Sequence, residues 1–419
     1  MSGKTSTIGK MFENLSRVSI RNPSKEFIFI LVVMIVIAFL AVIPTGFPTN
    51  AYPNSIRAVS RVLEVNNDNV FSTIGFVFQG EQVCKVEILD GPFKGRQAYA
   101  SNKFVGRLEV DKVFVKGDKA LVVIDYTDQK IRHVNMIDHY RIHLEAFLVG
   151  IFGLFLVLFA RWTGVKALLS FFLTVLMIWK FLIPMMLKGW DPIIISLFFV
   201  VTSTTTILFL VGGLNRKSVA AVLGSLSGTF LTSLLAIIFG KYFKIHGAVL
   251  PHSETLLYAG YAHLNLTDIL IAVVFIASAG ALMDLAIDIS AAVYEVVEKN
   301  PQISRAEAIQ SGFNVGRTVI GTMTTTLLFA YTGGYIALLM IFMAQGTPVI
   351  NILNLKYISM EIMHTIVGSF GLVAVAPFTA IIAGILFTQK SSNKKPDGQI
   401  KIQNLTPAVK PKNQTSPES

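Results

Sequence analysis

Long apolar runs fill this sequence beyond Arg141 and limit what it can fold into. Inside a bilayer every backbone N–H and C=O must be bonded within the protein, which restricts spanning segments to helices and closed barrels. Uninterrupted runs of about 20 apolar residues predict helices rather than strands. We therefore predict one spanning helix at 27–45 and seven more, at about 145–160, 165–187, 192–213, 219–240, 269–293, 318–344 and 359–388.

The composition is that of a protein that crosses a membrane several times. Of the 419 residues, 53% are hydrophobic and only 15% are charged, which is unusual for a soluble domain. The net charge of +11 does not indicate nucleic-acid binding, because many basic residues flank predicted spans, where they are expected to stay cytoplasmic and contact anionic lipid. They are Lys4, Lys10, Arg17, Arg21 and Lys25 near the start, and Lys390, Lys394, Lys395, Lys401, Lys410 and Lys412 near the end.

Composition also predicts five parts. A basic cytoplasmic arm at 1–26 precedes the first helix at 27–45, an uncleaved signal anchor in the favoured interpretation and a cleaved signal peptide in the other. An extracytoplasmic β-rich domain at 46–142 follows, then a seven-helix transmembrane domain at 143–388 and a disordered cytoplasmic tail at 389–419. The predicted fold is a membrane all-α helical bundle of about eight helices, with a small domain inserted after the first.

The 46–142 segment alternates β-rich runs, such as 83–90 and 121–126, with turn signals at 90–92 and 116–119. This pattern predicts a small β-barrel or β-sandwich, of the OB or SH3-like kind. The chain has one cysteine, Cys84, so an internal disulfide and a multi-cysteine metal site are excluded. We expect Cys84 to be a small buried residue in a strand.

Two carboxylates interrupt the apolar run at 269–293. Asp284 and Asp288 stand one helical turn apart on one face, with the small residues Ala277, Gly280 and Ala281 beside and above them. An aspartate near the centre of a spanning helix costs about 2.5–3.5 kcal/mol unless it is neutralised or paired. We interpret Asp284 as a proton or cation relay; the alternative is a buried, paired structural group, with Asp288 merely hydrated at the cytoplasmic mouth.

The next predicted span supplies partners for these carboxylates. It runs antiparallel to the aspartate helix, which brings Arg317 near the depth of Asp288 and Thr322 near that of Asp284. We predict an Arg317–Asp288 ion pair and hydrogen bonds from Thr322 or Thr325 to Asp284 or nearby water. In the alternative, each threonine hydroxyl bonds a carbonyl of its own helix.

Glu361 and His364 begin the last span in a Glu-x-x-His pattern, which puts both side chains on one helix face. Di-metal bundles use this spacing but need several such pairs. We therefore treat both residues as candidates for an outer gate or proton-uptake point. No Walker loop, nucleophile elbow, HExxH or paired CxxC motif occurs, so we predict no enzymatic activity, catalytic residue, metal site or cofactor.

Several stretches resemble the YibE/F family of multi-pass bacterial membrane proteins. They are GALMDLAID at 280–288, GRTVIGTMTTTLLFAYTGGY at 316–335 and EIMHTIVGSFGLVAVAPFTA at 361–380, and the resemblance extends over about residues 25–388. It implies a location in the bacterial plasma membrane and carries no mechanism.

A fainter resemblance links the C-terminal half to the transmembrane cores of resistance-nodulation-division transporters and of SecD and SecF proteins. It consists of Gly-x3-Asp-x3-Asp in one span, Arg-Thr-x3-Thr opening the next, and Pro377 in the last. This resemblance would put Asp284 where those families keep an ion-relay acid. The predicted span count and the small external domain depart from their pattern.

Two functional hypotheses follow. The first is a secondary transporter or permease for an unknown small molecule or ion, coupled to protons or cations through Asp284. The second is a non-transporting scaffold or assembly factor whose β domain binds envelope components. The predicted partners are the lipid bilayer and an unidentified substrate, with no nucleic acid, and an oligomer is compatible with the sequence.

Overall fold

The computed structural model describes residues 23–48 and 54–388, which form several long apolar helices and one β-barrel. Seven of the described helices are long and apolar enough to cross a membrane. The described residues divide into two compact units, one within 32–184 and the other formed by 23–31 and 185–388. The basic arm predicted at 1–26 lies almost wholly outside the described residues, and the predicted tail at 389–419 lies entirely outside them.

The β domain is a closed five-stranded barrel in the order β1-β2-β3-β5-β4. Its strands are β1 (Ser55–Ile74), β2 (Val77–Ile88), β3 (Gln97–Val105), β4 (Lys119–Thr127) and β5 (Lys130–His139). The long strand β1 pairs antiparallel with β4 along its first part and with β2 along the rest, while β3 and β5 meet in parallel. The barrel prediction is confirmed and the sandwich alternative is wrong, because β1 reaches both neighbours and closes the sheet with OB-fold topology.

A single residue reverses the first long helical segment after the barrel. Helix α1 (Pro23–Val42) precedes the barrel, and α2 (Ile142–Met177) follows it and continues through a π-helical turn at Ile178–Leu182 into α3 (Ile183–Leu187). The backbone of Arg161 is not helical (φ 50°, ψ −125°). A Cβ on Gly164 would lie 2.5 Å from Leu156 O, and one on Gly153 would lie 3.6 Å from Leu168 Cδ1. In a straight helix residues 153 and 168 would be about 22 Å apart, so α2 is a helical hairpin.

The π-helical turn brings a lysine to the end of the first helix. Lys180 Nζ donates a hydrogen bond of 2.8 Å to the carbonyl oxygen of Ile43, just past the end of α1. A cation at a helix C-terminus is favoured because the last carbonyls carry partial negative charge and lack intrahelical partners. Lys180, a charge inside a predicted span, is thus bonded to a helix end within its own unit.

The remaining helices form the bundle that carries the candidate sites. They are α4 (Pro192–Gly212), α5 (Arg216–Tyr242), α6 (Ser253–Tyr258), α7 (Leu266–Lys299), α8 (Arg305–Thr332), α9 (Ile336–Ala344), α10 (Val349–Asn354) and α11 (Lys356–Thr388). The span predicted at 318–344 lies within Arg305–Ala344, which is long and apolar enough to cross a membrane and ends at the predicted residue, but begins earlier. The capping box of Ser304 and Glu307 starts α8 well before residue 318, and a 3-10 turn at Gly333–Tyr335 ends it before α9.

Helix α11 packs against α5, α7 and α8 through small residues. Gly371 leaves no room for a side chain, because a Cβ there would collide with Thr232 Oγ1. A Cβ on Gly368 would lie 2.5 Å from Ser278 Oγ, and one on Gly316 would lie 2.8 Å from Ala376 Cβ. Such contacts let helix backbones approach closely, which is how helices associate where lipid removes most of the hydrophobic driving force.

Candidate functional site

The two aspartates lie on the side of α7 that the bundle leaves uncovered. Asp284 and Asp288 are exposed, as are Ala277 and Gly280 above them, and we call these four residues the aspartate face. The opposite side of α7 is fully buried through Leu282, Leu285, Ala286 and Ile289. The period of the α-helix explains why these four residues form one face, since residues three, four and seven apart share a side.

Neighbouring helices border the aspartate face on two sides. A Cβ on Gly212 of α4 would lie 3.4 Å from Ile287 Cδ1, and a Cβ on Gly316 of α8 would lie 3.3 Å from Ile289 Cδ1. The close helix contact expected at Gly280 is not made by any described residue, because nothing lies within 4 Å of a Cβ built there. The face is therefore an open strip between α4 and α8.

Helix α8 runs antiparallel to α7 in a register fixed by two glycines. A Cβ on Gly312 would lie 2.9 Å from Val293 Cγ2, and Gly316 meets Ile289 one turn further on. Continuing this register puts Arg317 level with Asp288, and Thr322 close to the level of Asp284. Arg317, Thr322 and Thr325 are also exposed, so polar groups occur at matching depths on both helices.

The bonds predicted between these groups are not formed in the described part of the chain. Arg317 makes no ion pair with Asp288, and neither aspartate has a hydrogen bond or ion pair there. Thr322 Oγ1 donates to Val319 O (2.9 Å) and Thr325 Oγ1 to Gly321 O (3.2 Å). The prediction of direct pairing was wrong, because a threonine in a helix finds a carbonyl of the preceding turn nearer than a neighbouring helix.

Chemically, the aspartate face carries two carboxylates that have no fixed counter-charge among the described residues. Side chains four residues apart in a helix have Cβ atoms about 5–6 Å from one another, so two like charges there repel each other. Toward lipid both anions would be costly, which leaves water, a proton, a cation or another protein surface as the groups that can stabilise them. The geometry is thus suited to exchanging protons or cations.

A second set of polar side chains lines a cavity of about 250 Å³ near the start of α7. We call it the Glu361 cavity; its polar and aromatic walls are Glu361 and His364 of α11, Tyr331 of α8 and Tyr335 of the following turn. Leu250, Leu270, Val274 and Met360 are among its apolar walls. Glu361 and His364 are therefore not at an exposed helix end; they are 7% and 8% exposed.

The acid and the imidazole of this cavity have unused hydrogen-bonding atoms. Glu361 Oε1 and His364 Nε2 are buried and have no partner among the described residues. The His364 ring stacks on Tyr331, with centroids 4.0 Å apart and planes inclined by 21°. The stack fixes the imidazole plane, and both unpartnered atoms belong to side chains that line the cavity.

Sequence reasoning found two members of this cavity and missed the tyrosines. Tyr331 and Tyr335 are four residues apart in the FAYTGGY run, which is a recognisable signal for a shared helix side. That they meet Glu361 and His364, about thirty residues further along, depends on how α8 and α11 pack. Among the described residues, no group of three or more His, Cys, Asp or Glu side chains could hold a metal ion.

The sequence comparison identifies the family. A family model described as YibE/F-like protein matches residues 148–389, more than half of the chain. The chain belongs to the YibE/F family. The match includes Asp284, Asp288, Arg317, Glu361 and His364, whereas residues 25–147, where the resemblance had been expected to begin, lie outside it.

No curated protein and no solved structure matches the chain. Nothing in these comparisons supports the fainter resemblance to resistance-nodulation-division transporters and to SecD and SecF proteins.

Proposed function

We propose that this YibE/F protein is a secondary transporter of the bacterial plasma membrane, coupled to protons or cations through Asp284. The family and the long apolar helices support a membrane protein. The observation that carries the transport proposal is the aspartate face. A carboxylate midway along a spanning helix, with no fixed counter-charge, is expensive to keep and is typical of ion pathways.

The hairpin at Arg161 supports an arrangement with eight passes. Seven of the described helices have spanning length, and the longest, Ile142–Leu187, reverses within itself. An even number of passes puts both termini on one side, and the basic residues near both termini favour the cytoplasm. The barrel is then extracytoplasmic, the Glu361 cavity lies toward the outside, and Asp288 lies toward the cytoplasm.

In this proposal the other site residues assist Asp284. Asp288 and Arg317, at one level on α7 and α8, set the local charge that a proton or cation meets on the cytoplasmic side. Thr322 and Thr325 supply hydroxyl oxygens beside the path. Glu361 and His364 form the outer gate, the bilayer and an unidentified small molecule or ion are the partners, and no enzymatic step is involved.

The test is flux into proteoliposomes that contain the purified full chain. We expect an imposed proton gradient to drive pH change or cation uptake in the wild type, measured with an internal pH dye and with radioactive rubidium or sodium. Asp284→Asn is expected to reduce coupled flux at least tenfold, because an amide cannot bind and release a proton.

Glu295→Gln is the matched control. Glu295 is an exposed carboxylate on the same side of α7, nearer the helix end, and its replacement should leave flux within about twofold of wild type. Equal flux in wild type and a well-folded Asp284→Asn variant contradicts the coupling role.

A groove on the barrel favours the second candidate function, a scaffold or assembly factor that binds envelope components. The groove has a volume of about 680 Å³ and is lined by Arg57 of β1, Asp125 of β4, and Arg132 and Asn135 of β5, among others. Charged and amide side chains around a concave surface suit a polar or anionic ligand. The scaffold function is favoured if an Arg57→Ala, Arg132→Ala double variant fails to support the cell while Asp284→Asn supports it fully.

A further inference from the structure

We propose that the Glu361 cavity is a binding site for a small organic cation, a compound with a protonated amine and a short apolar body. The inference goes beyond transport, because it rests on this cavity alone and concerns binding at equilibrium.

The charge of the cavity comes from Glu361. Glu361 is only 7% exposed, and its Oε1 atom has no hydrogen-bond partner among the described residues. No lysine or arginine of the described chain forms an ion pair with it. A carboxylate taken out of water stays ionised only with a compensating charge and hydrogen bonds. A bound cation would supply both.

The second unpartnered atom distinguishes an ammonium group from a metal ion. His364 Nε2 accepts a hydrogen bond when the proton of the neutral ring is on Nδ1. An ammonium group has several N–H donors, which match the two acceptors Glu361 Oε1 and His364 Nε2. Structural metal sites take about four protein ligands, and the described residues hold no group of three or more His, Cys, Asp or Glu ligands.

The aromatic walls also suit a cation. Tyr331 and Tyr335 both line the cavity, and the negative face of an aromatic ring attracts an ammonium group within about 6 Å of its centroid. The imidazole of His364 is stacked on Tyr331, which positions the acceptor, and Tyr335 is a second aromatic ring that lines the cavity.

The size and lining of the cavity further limit which compounds can bind there. A volume of about 250 Å³ is below that of pockets for drug-sized ligands. Its ligand is therefore expected to be a compact compound, smaller than a typical drug. Leu250, Leu270 and Met360 give the rest of the cavity an apolar wall, so we expect an alkyl or aryl amine rather than a polyhydroxylated one.

The test is isothermal titration of the purified full chain in detergent with benzylammonium chloride, and with benzyl alcohol as its neutral analogue. We expect one benzylammonium per chain and at least tenfold weaker binding of benzyl alcohol. Glu361→Gln is expected to weaken benzylammonium at least tenfold and to leave benzyl alcohol unchanged. Glu295→Gln, a carboxylate far along α7 from the cavity, should change neither.

Tyr335→Leu provides a second variant that keeps the carboxylate. It should weaken benzylammonium severalfold more than benzyl alcohol, and an equal loss for both probes contradicts the role of the ring. Equal affinity for the two probes, unchanged benzylammonium binding in Glu361→Gln, or full displacement by equimolar potassium chloride each overturns the proposal. Since the readout is binding, a protein that binds benzylammonium without flux refutes transport and leaves this site standing.

Discussion

The Cys84 thiol lies inside the barrel with no exposed surface. Burial, and secondarily the negative charge of Asp118, raises the pKa of the thiol from 9.0 to about 11. The thiolate is the nucleophile that attacks thiol reagents, so a buried neutral thiol is unreactive. The expected role of Cys84 as a small buried strand residue is confirmed.

We predict that Cys84 in the native protein reacts with iodoacetamide at pH 8 at least roughly a hundredfold more slowly than after unfolding, because only opened barrels expose it. Mass spectrometry of timed reactions measures both rates. Fast labelling of the folded chain would contradict the buried position.

The raised pKa also predicts a pH dependence of barrel stability. Below about pH 9 the thiol is neutral whether the barrel is folded or unfolded, and its full contribution to stability is present. Between pH 9.0 and about 11 the unfolded thiol ionises first, so this contribution is lost as pH rises. The thermal unfolding temperature should therefore fall more steeply over this pH window in the wild type than in Cys84→Ala. Parallel plots of unfolding temperature against pH would contradict the raised pKa of Cys84.

At the scale of elements, α11 depends on glycines where other helices cross it. A side chain added at Gly371 meets Thr232 of α5, whereas one added at Gly280 of α7 meets nothing within 4 Å. The two glycines occur in similar apolar sequence, and only the packing distinguishes them.

We predict that Gly371→Ala destabilises the bundle by about 1–3 kcal/mol, the usual effect of forcing a methyl group into a packed interface. Gly280→Ala is the matched control and should change stability by about 0.5 kcal/mol or less. Thermal unfolding of both variants in detergent measures the difference. Equal effects would show that α5 and α11 do not approach as closely as the structure has them.

Much of the element level was predictable. The apolar runs at 192–213 and 219–240 match the ends of α4 and α5 to within three residues, because length and hydropathy determine where a helix lies. The start of α8 was less predictable. It lies in a polar amphipathic stretch, which became part of a long helix because Ser304 caps its first turn. Barrel closure needed the length of β1 and its two partners, which no local pattern contains.

For the whole molecule, the number of passes decides which face of the membrane each loop reaches. The barrel comes directly after the first helix, so it lies on the same side of the membrane whether Ile142–Leu187 crosses once or twice. The turn between α7 and α8, at residues 300–304, changes sides between these alternatives. With the first helix starting in the cytoplasm, as proposed, this turn is cytoplasmic with eight passes and external with seven.

We predict that Gln302→Cys, on a Cys84→Ala background, is protected from a membrane-impermeant maleimide in intact cells and labelled after permeabilisation. Lys116→Cys, exposed in the barrel, is the positive control and should react in intact cells. Labelling of both positions from outside would rule out the second pass at Arg161.

The sequence by itself determined the class of protein, the positions of most helices, the β nature of the inserted domain and the residues worth testing. These follow from local length, hydropathy and spacing, which act along the chain. Only the tertiary structure decided that Asp284 and Asp288 face away from the bundle and that Arg317 does not pair with them. It also brought Tyr331 and Tyr335 to Glu361 and His364. Such contacts depend on how helices far apart in sequence rotate and pack, and small residues set that packing without leaving a periodic signal.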